Sequence, residues 1–410
     1  MITLRHYQEK AVADLTADFY RLLPKSLGQK RQKLIFKAPT GAGKTVTMAA
    51  FLQRLAQELS GRYDLPHRQF AFVWIAPNQL HLQSYGSLLH FFAETRLLRP
   101  IQFADITDGK LLPNDLLFLN WQSISSDKNL LVRDNEQDYN LYSMLSKSRL
   151  NDTEIVLILD EAHLFAAKGE QAQKVLQQVQ ANIEIEVSAT PYFRSDFQVT
   201  VHREDVVAEG MIKKGVHLNP AVSALDQDER ELNQYLVKMA LEKRQDMAQR
   251  YQAAGTRINP LLLIQLPNDS ASESALDRTV LEQGQAYLAY VGITTQNHRL
   301  AIWLSKEKQN LDDLSADDNL TEVLLFKQAI ALGWDCPRAH VLLIFRDIQS
   351  IIFSVQTVGR ILRMPQQRHY ADEALNVGYV YTNLARNVIQ IVADEMNYLS
   401  DKYAIRKANY

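Results

Sequence analysis

Short apolar runs punctuate the chain at regular intervals. Lys33–Lys37, Phe70–Ile75, Leu116–Leu119, Ile155–Leu159 and Ile183–Val187 are β-branched or leucine-rich and four to six residues long, the signature of strands buried on both faces. Between them lie stretches of helical period, Thr45 to Leu59 and Gln171 to Gln180. Strands alternating with amphipathic helices predict a mostly parallel, doubly wound α/β sheet. A second set follows Pro260: Leu261–Ile264, Leu300–Leu304, Val323–Phe326, Val341–Phe345 and Tyr379–Tyr381. The pattern therefore predicts two α/β lobes, at residues 1–218 and 257–390. A polar segment, 219–256, joins them as a helical linker, with Asp226 to Glu231 as a solvated charge run and one long helix over Leu232–Ala254. A helical tail closes the chain at 391–410, and the acidic stretch Asp312–Asn319 reads as an exposed loop of the second lobe.

Length and composition narrow this only slightly. At 410 residues, 46% hydrophobic and 22% charged, the chain suits two or three globular domains and neither a disordered nor a fibrous architecture. A net charge of −2 excludes a globally basic protein, so any nucleic-acid site must be a local groove. The single cysteine, Cys336, allows no internal disulfide and no cysteine-based zinc cage. His81, His90, His298 and His369 show no metal-ligand spacing. With neither a signal-like start nor an apolar run of membrane-spanning length, the expected location is the cytoplasm.

Chemistry enters between the first strand and the first long helical stretch, where Ala38-Pro39-Thr40-Gly41-Ala42-Gly43-Lys44-Thr45 has P-loop spacing, with Ala38 in place of the leading glycine. Glycines at 41 and 43 let backbone N–H groups face phosphates, the helix that follows adds its positive end, and Lys44 adds a point charge. The Thr45 hydroxyl is a ligand for Mg²⁺. After the strand Ile155–Leu159 come Asp160 and Glu161. Adjacent acids often mark no more than a helix start. Combined with a P-loop, they supply the two carboxylates that hydrolysis needs, Asp160 toward the metal and Glu161 as base for the attacking water.

These two motifs, followed by Ser188-Ala189-Thr190 and by Gln356-Thr357-Val358-Gly359-Arg360-Ile361-Leu362-Arg363, resemble the superfamily 2 helicases and translocases of the DEAH-box type. Gly333-Trp334-Asp335-Cys336-Pro337 and Gly359 to Pro365 resemble more narrowly the motor (Res) subunit of type III restriction enzymes. The resemblance spans Leu4 to about Asn383. It implies two tandem RecA-like lobes with the ATP site in the cleft between them. It also implies that Gln8, beside Arg5, recognises adenine, that Gly333 and Asp335 face the nucleotide, and that Arg360 and Arg363, with Gln356, reach the transferring phosphate. His163, Ser188 and Thr190 would couple ATP to the nucleic-acid path. Pro77, Leu80, Gln83, Asn120 and Trp121 would lie along that path, although core packing is an equal reading for Trp121.

The activity so implied is that of a nucleic-acid-stimulated ATP hydrolase, a DNA helicase or translocase using ATP and Mg²⁺, with DNA preferred over RNA as its track. A nuclease needs a carboxylate cluster ending in an Asp/Glu-x-Lys triplet; the only one found is Asp108-Gly109-Lys110, in a loop of the first lobe and not expected to be nucleolytic. The expectation is therefore either a fragment of a longer enzyme or a motor whose nuclease or methyltransferase is another chain. Two rival readings stay open: an ATP-gated nucleic-acid clamp without useful movement, and a P-loop phosphotransferase acting on a small molecule.

Overall fold

The computed structural model describes residues 3–26, 31–60, 69–125, 140–162, 169–192, 194–220, 229–266, 284–304, 306–327, 334–345 and 358–382. The chain divides into two compact units, Met1–Asp205 and Val206–Tyr410.

The first unit contains β1 (Gln32–Lys37), β2 (Gln69–Ala76), β3 (Arg99–Ile101), β4 (Asp115–Asn120), β5 (Thr153–Asp160), β6 (Ile183–Ser188) and β7 (Phe197–Thr200). They form one sheet in the order β3-β4-β2-β5-β6-β1-β7, every pair parallel. Phe70 to Ala76 of β2 is buried throughout, as a strand covered on both faces must be. The described helices are α1 (His6–Ser26), α2 (Lys44–Ser60), α3 (Leu80–Phe92), α4 (Trp121–Ile124), α5 (Leu141–Leu150), Gly169–Val179 and Arg203–Ala208 at the border of the next unit. On α1, Phe19 meets Phe51 of α2 and Phe70 of β2 edge-on at 6.0 Å, locking two helices to the sheet. Parallel register fixes what matters for function. Lys37 pairs with Ser188 and Asp160 with Val187, so β1, β5 and β6 end side by side and three sequence motifs leave the sheet at one edge. Ligands of open α/β sheets bind at that kind of edge.

The second unit has β8 (Gly215–Leu218), β9 (Leu261–Gln265), β10 (Leu300–Trp303), β11 (Lys308–Gln309), β12 (Val323–Phe326), β13 (Ala339–Ile344) and β14 (Val377–Thr382), in the order β11-β10-β12-β9-β13-β14-β8. All pairs are parallel except β10 with β11.

Two expected boundaries are corrected. Residues 215–218 form an edge strand of the second sheet, paired with β14, so the first unit stops at Asp205 rather than at 218. The helix Glu229–Ala253 is no linker. It buries Leu236, Val237, Ala240, Met247 and Tyr251 in one core with Leu262, Ile264, Val341 and Leu343. Its Arg244 is bonded to the Pro260 carbonyl at 2.9 Å and paired with Glu322 at 3.1 Å. Charges outside this narrow apolar stripe made the segment read as a solvated connector. The acidic loop at 312–319 is pinned from below: the buried Arg338 donates to the carbonyls of Leu314 (2.9 Å), Asn259 (2.7 Å) and Thr321 (2.9 Å). The proposed tail, 391–410, lies outside the described residues.

Candidate active site

The turn between β1 and α2 is shaped by Gly41 (φ 87°) and Gly43 (φ 74°), both in the left-handed region. A Cβ on Gly43 would stand 2.6 Å from the Gln8 side-chain nitrogen, so a side chain there would displace Gln8 as well as strain the left-handed backbone. From α1, Tyr7 donates its hydroxyl to the Ala42 carbonyl at 3.0 Å and the Gln8 amide donates to the same oxygen at 3.1 Å. The Gln8 side-chain oxygen accepts the Arg5 N–H at 2.9 Å. Gln8, expected to read adenine, is thus also a buried brace between α1 and the loop. Thr47 closes the first helical turn, its backbone N–H (3.0 Å) and hydroxyl (3.2 Å) both reaching the Gly43 carbonyl. The other loop residues, Thr40, Ala42 and Thr45, stand in line with this turn, and Lys44 opens α2.

Lys44 Nζ lies 3.4 Å from Glu161 Oε1. Glu161 itself has φ 53°, and its N–H donates to the Val187 carbonyl at 2.9 Å, so the residue after β5 is turned off the sheet and tied to β6. Ser188 donates its hydroxyl to Glu161 Oε2 at 3.4 Å and accepts the Thr190 N–H at 3.1 Å. The Ala38 N–H donates to the Ser188 carbonyl at 3.2 Å. P-loop, acidic pair and Ser-Ala-Thr turn are therefore one connected network. Asp160 is buried beside it. Burial, then the neighbouring Glu161 charge, raise its carboxyl well above the ordinary range, against the opposing pull of Lys44 and of the Trp74 indole. The indole N–H is near enough to act electrostatically, yet makes no hydrogen bond of normal geometry.

Nucleotide and Mg²⁺ fit these residues. Left-handed glycines shape a loop that leads into a helix N-terminus, where phosphates are favoured, and a buried acid held against a second acid is a site where a cation would relieve repulsion. The residues that would hold it are Thr45 and Asp160. Among the described residues no group of three or more His, Cys, Asp or Glu is placed to hold a metal. The Asp108-Gly109-Lys110 triplet is a surface turn whose lysine bonds Asn151 at 3.1 Å.

On the neighbouring strand ends, Pro77 is buried, Leu80 opens α3 and Gln83 is exposed on it. Asn120 caps α4, its side-chain oxygen accepting the Gln122 N–H. Trp121 is 1% exposed and lies in one core cluster with Leu119, Ile124 and Leu145, so its ring is a core group. Asn78, which the motifs did not single out, and Gln122, which follows Trp121 in the run expected along the nucleic-acid path, join these loops. Asn78 (φ 52°) donates its N–H to the Gln122 side chain at 2.8 Å, and the Gln122 amide returns a bond to the Asn78 side chain at 2.9 Å. Only its position after a strand could have signalled Asn78.

In the second unit the turn at 358–361 carries Arg360, which is largely buried and donates to the Trp334 carbonyl. Arg363 is ion-paired with Asp335. The two arginine positions and the Trp334-Asp335 segment are therefore brought together. Cys336 between them is buried, which pushes its thiol up to about 11 and leaves it unreactive. His163, Gly333 and Gln356 lie outside the described residues.

Each unit is thus built on a seven-stranded, mostly parallel sheet, with the P-loop and the acidic pair on the first and the arginine turn on the second. Residues 1–193 match the family described as type III restriction enzyme, res subunit. Among solved structures the chain is similar to a fragment assigned to the HsdR subunit of a type I restriction enzyme from Vibrio vulnificus YJ016. The TM-score is 0.55 at 17% identity, over 98% of this chain and 68% of that one. It is also similar to a variant of S. cerevisiae Dbp5 bound to RNA and ADP BeF3, with a TM-score of 0.52 at 10% identity, over 97% of this chain and 93% of that one. At such identities these likenesses establish the tandem RecA-like fold. No curated protein matches the sequence. No described helix is long and apolar enough to cross a membrane.

Proposed function

We propose that this chain is a nucleic-acid-stimulated ATPase that moves on DNA, the motor of a restriction-type or other DNA-defence system, whose nuclease or methyltransferase is a partner chain. The observation that carries this reading is the network at the ends of β1, β5 and β6, in which Lys44 stands 3.4 Å from Glu161 with Asp160 buried alongside. The preference for DNA rests on the family match of the first lobe.

In this reading Lys44 exchanges Glu161 for the phosphates when ATP arrives, and Glu161 is released to act on water. Glu161 takes a proton as the water oxygen bonds to the γ-phosphorus; the bond to the bridging oxygen breaks, leaving ADP and phosphate. Thr45 and Asp160 would hold Mg²⁺, which when bound would neutralise charge on the phosphate oxygens. Arg360 and Arg363 lend positive charge as those oxygens gain negative charge in the transition state. The Ser188 hydroxyl, bonded to Glu161 and to the Thr190 N–H, carries the state of the nucleotide to the strand end from which the nucleic-acid path is read.

The test is steady-state ATP hydrolysis without nucleic acid and with single-stranded DNA, duplex DNA or RNA, with Arg360→Ala as control. Stimulation by duplex DNA that is lost in the control is the expected result. Stimulation by RNA alone would change the track, and an unstimulated rate with all polymers would replace the motor by a gated clamp.

A further inference from the structure

Lys213 is fully buried in the second unit. Burying an ammonium is costly unless its donors are satisfied. The acceptors around it are main-chain carbonyls: Ile361 at 2.6 Å, Arg363 at 2.7 Å and Ala339 at 3.4 Å. Ile361 ends the turn at 358–361, where helical carbonyls lose their partners and carry partial negative charge, and Arg363 lies two residues beyond it. The backbone repeats the grip. Lys213 N–H donates to the Leu362 carbonyl at 2.6 Å, Met364 N–H to the Met211 carbonyl at 3.2 Å, and Ile212 bridges Arg363. Just before this segment, Gly210 (φ 71°) packs so closely that a Cβ would stand 3.0 Å from the backbone of Arg368 and His369. The His369 ring bonds the Ile212 carbonyl at 2.9 Å. The strand entering β8 is thus laid along residues 361–369 and drives one cation into the end of the arginine turn. Burial pulls the Lys213 ammonium down to about 7.

We propose that Lys213 is a positioning residue for Arg360 and Arg363: its ammonium fixes the carbonyls of residues 361 and 363 and so aims the two guanidiniums that Trp334 and Asp335 hold from the other side. This rests on the functional reading above. In this role the lysine acts through the backbone from which the arginines project. Both arginine interactions end on the segment 334–335, so a small rotation of the turn would swing each side chain away from its acceptor. Such supporting contacts are what hold a catalytic group within the narrow geometry it needs.

The experiment measures nucleic-acid-stimulated ATP hydrolysis by the full chain as Lys213→Met, Lys213→Gln and Arg360→Ala, with thermal unfolding in parallel. Lys213→Met keeps the side-chain volume and removes the donors; Lys213→Gln keeps donors for one carbonyl. The expected result is a kcat loss of about tenfold or more in Lys213→Met and a smaller loss in Lys213→Gln, with KM for ATP within about twofold of wild type. A purely structural role would instead lower the unfolding temperature and leave kcat per folded molecule unchanged, and that result overturns the proposal. If Lys213→Met does not fold, Lys213→Gln carries the same two outcomes. Should Arg360→Ala hydrolyse ATP normally, the functional reading itself fails; should it be inactive while both Lys213 variants match wild type, only the positioning role fails.

Discussion

Lys44 and Arg360 are both cations that a phosphate chemistry would use, and the two units hold them in different ways. In the first unit the support comes chiefly from the loop's own backbone, two left-handed glycines and a helix start, with the Tyr7 and Gln8 side chains of α1, 35 and 34 residues away, bracing one carbonyl. Glu161, its ion-pair partner, leaves β5 one strand away from β6 and two from β1. In the second unit the support comes from far along the chain. Lys213 lies 148 residues from the Ile361 carbonyl it bonds, and Arg338 ties segments around Asn259, Leu314 and Thr321. A site made of turns is rigid wherever its own sequence is present. A site made of buried cations on distant carbonyls depends on the whole unit being folded, and a single substitution far from the arginines can disturb it.

This contrast is broken most sharply at the groups themselves. Lys44→Ala is expected to abolish ATP turnover, because no other described side chain of the loop brings a positive charge to the phosphates; residual turnover near wild type would remove the P-loop from the mechanism. Arg360→Ala is expected to spare ATP binding and to lower kcat by roughly 10³ or more, measured by stimulated hydrolysis beside nucleotide titration. Glu161→Gln is expected to lower kcat by roughly 10² to 10⁴ while ATP stays bound. A variant hydrolysing at the wild-type rate would take the base role from Glu161.

Smaller effects separate backbone support from side-chain support. Gly43→Ala forces a Cβ to 2.6 Å from the Gln8 nitrogen at a left-handed φ, and at about 1–2 kcal/mol of strain it is expected to raise KM for ATP about tenfold. Gly86→Ala, inside α3 with nothing within 4 Å of the new Cβ, is expected to leave KM unchanged and to add up to about 1 kcal/mol of stability. Equal effects from the two would mean that the glycine at 43 is not a conformational requirement.

The same division decides what could be read from the sequence. Every apolar run singled out became a strand, and the P-loop, the acidic pair and the Ser-Ala-Thr turn are contiguous motifs whose shared location follows from parallel strand order. The helix Glu229–Ala253 misled because its buried stripe, Leu236 to Tyr251, is interrupted by charges. Edge strands β3, β7, β8 and β11, two to four residues long, carry too little pattern to show. Trp121 shows its burial only once α4 turns it under the sheet. Lys213 was invisible for a different reason: nothing in Met211-Ile212-Lys213-Lys214 says which lysine faces inward.

That pair of lysines gives the mildest test and a direct one. Lys214 follows the buried cation by one residue, yet its side chain is 41% exposed and meets Glu373, 69% exposed, at 2.7 Å. The Glu373 carboxyl is held below its ordinary range by that hydrogen bond. A depressed folded-state pKa contributes stability above the unfolded value that is lost as pH falls through the folded one, so any contribution from this pair disappears on acidification. Water and salt screen an exposed pair of this kind, and Lys214→Ala is expected to cost less than about 1 kcal/mol, shrinking further at high ionic strength. Denaturant unfolding at low and high salt reads this directly. Because extended backbone alternates its side chains between faces, exchanging the roles of the two lysines would require the segment to slip by one residue. A Lys214→Ala cost of several kcal/mol that salt does not reduce would mean that residue 214, not 213, supplies the inward cation.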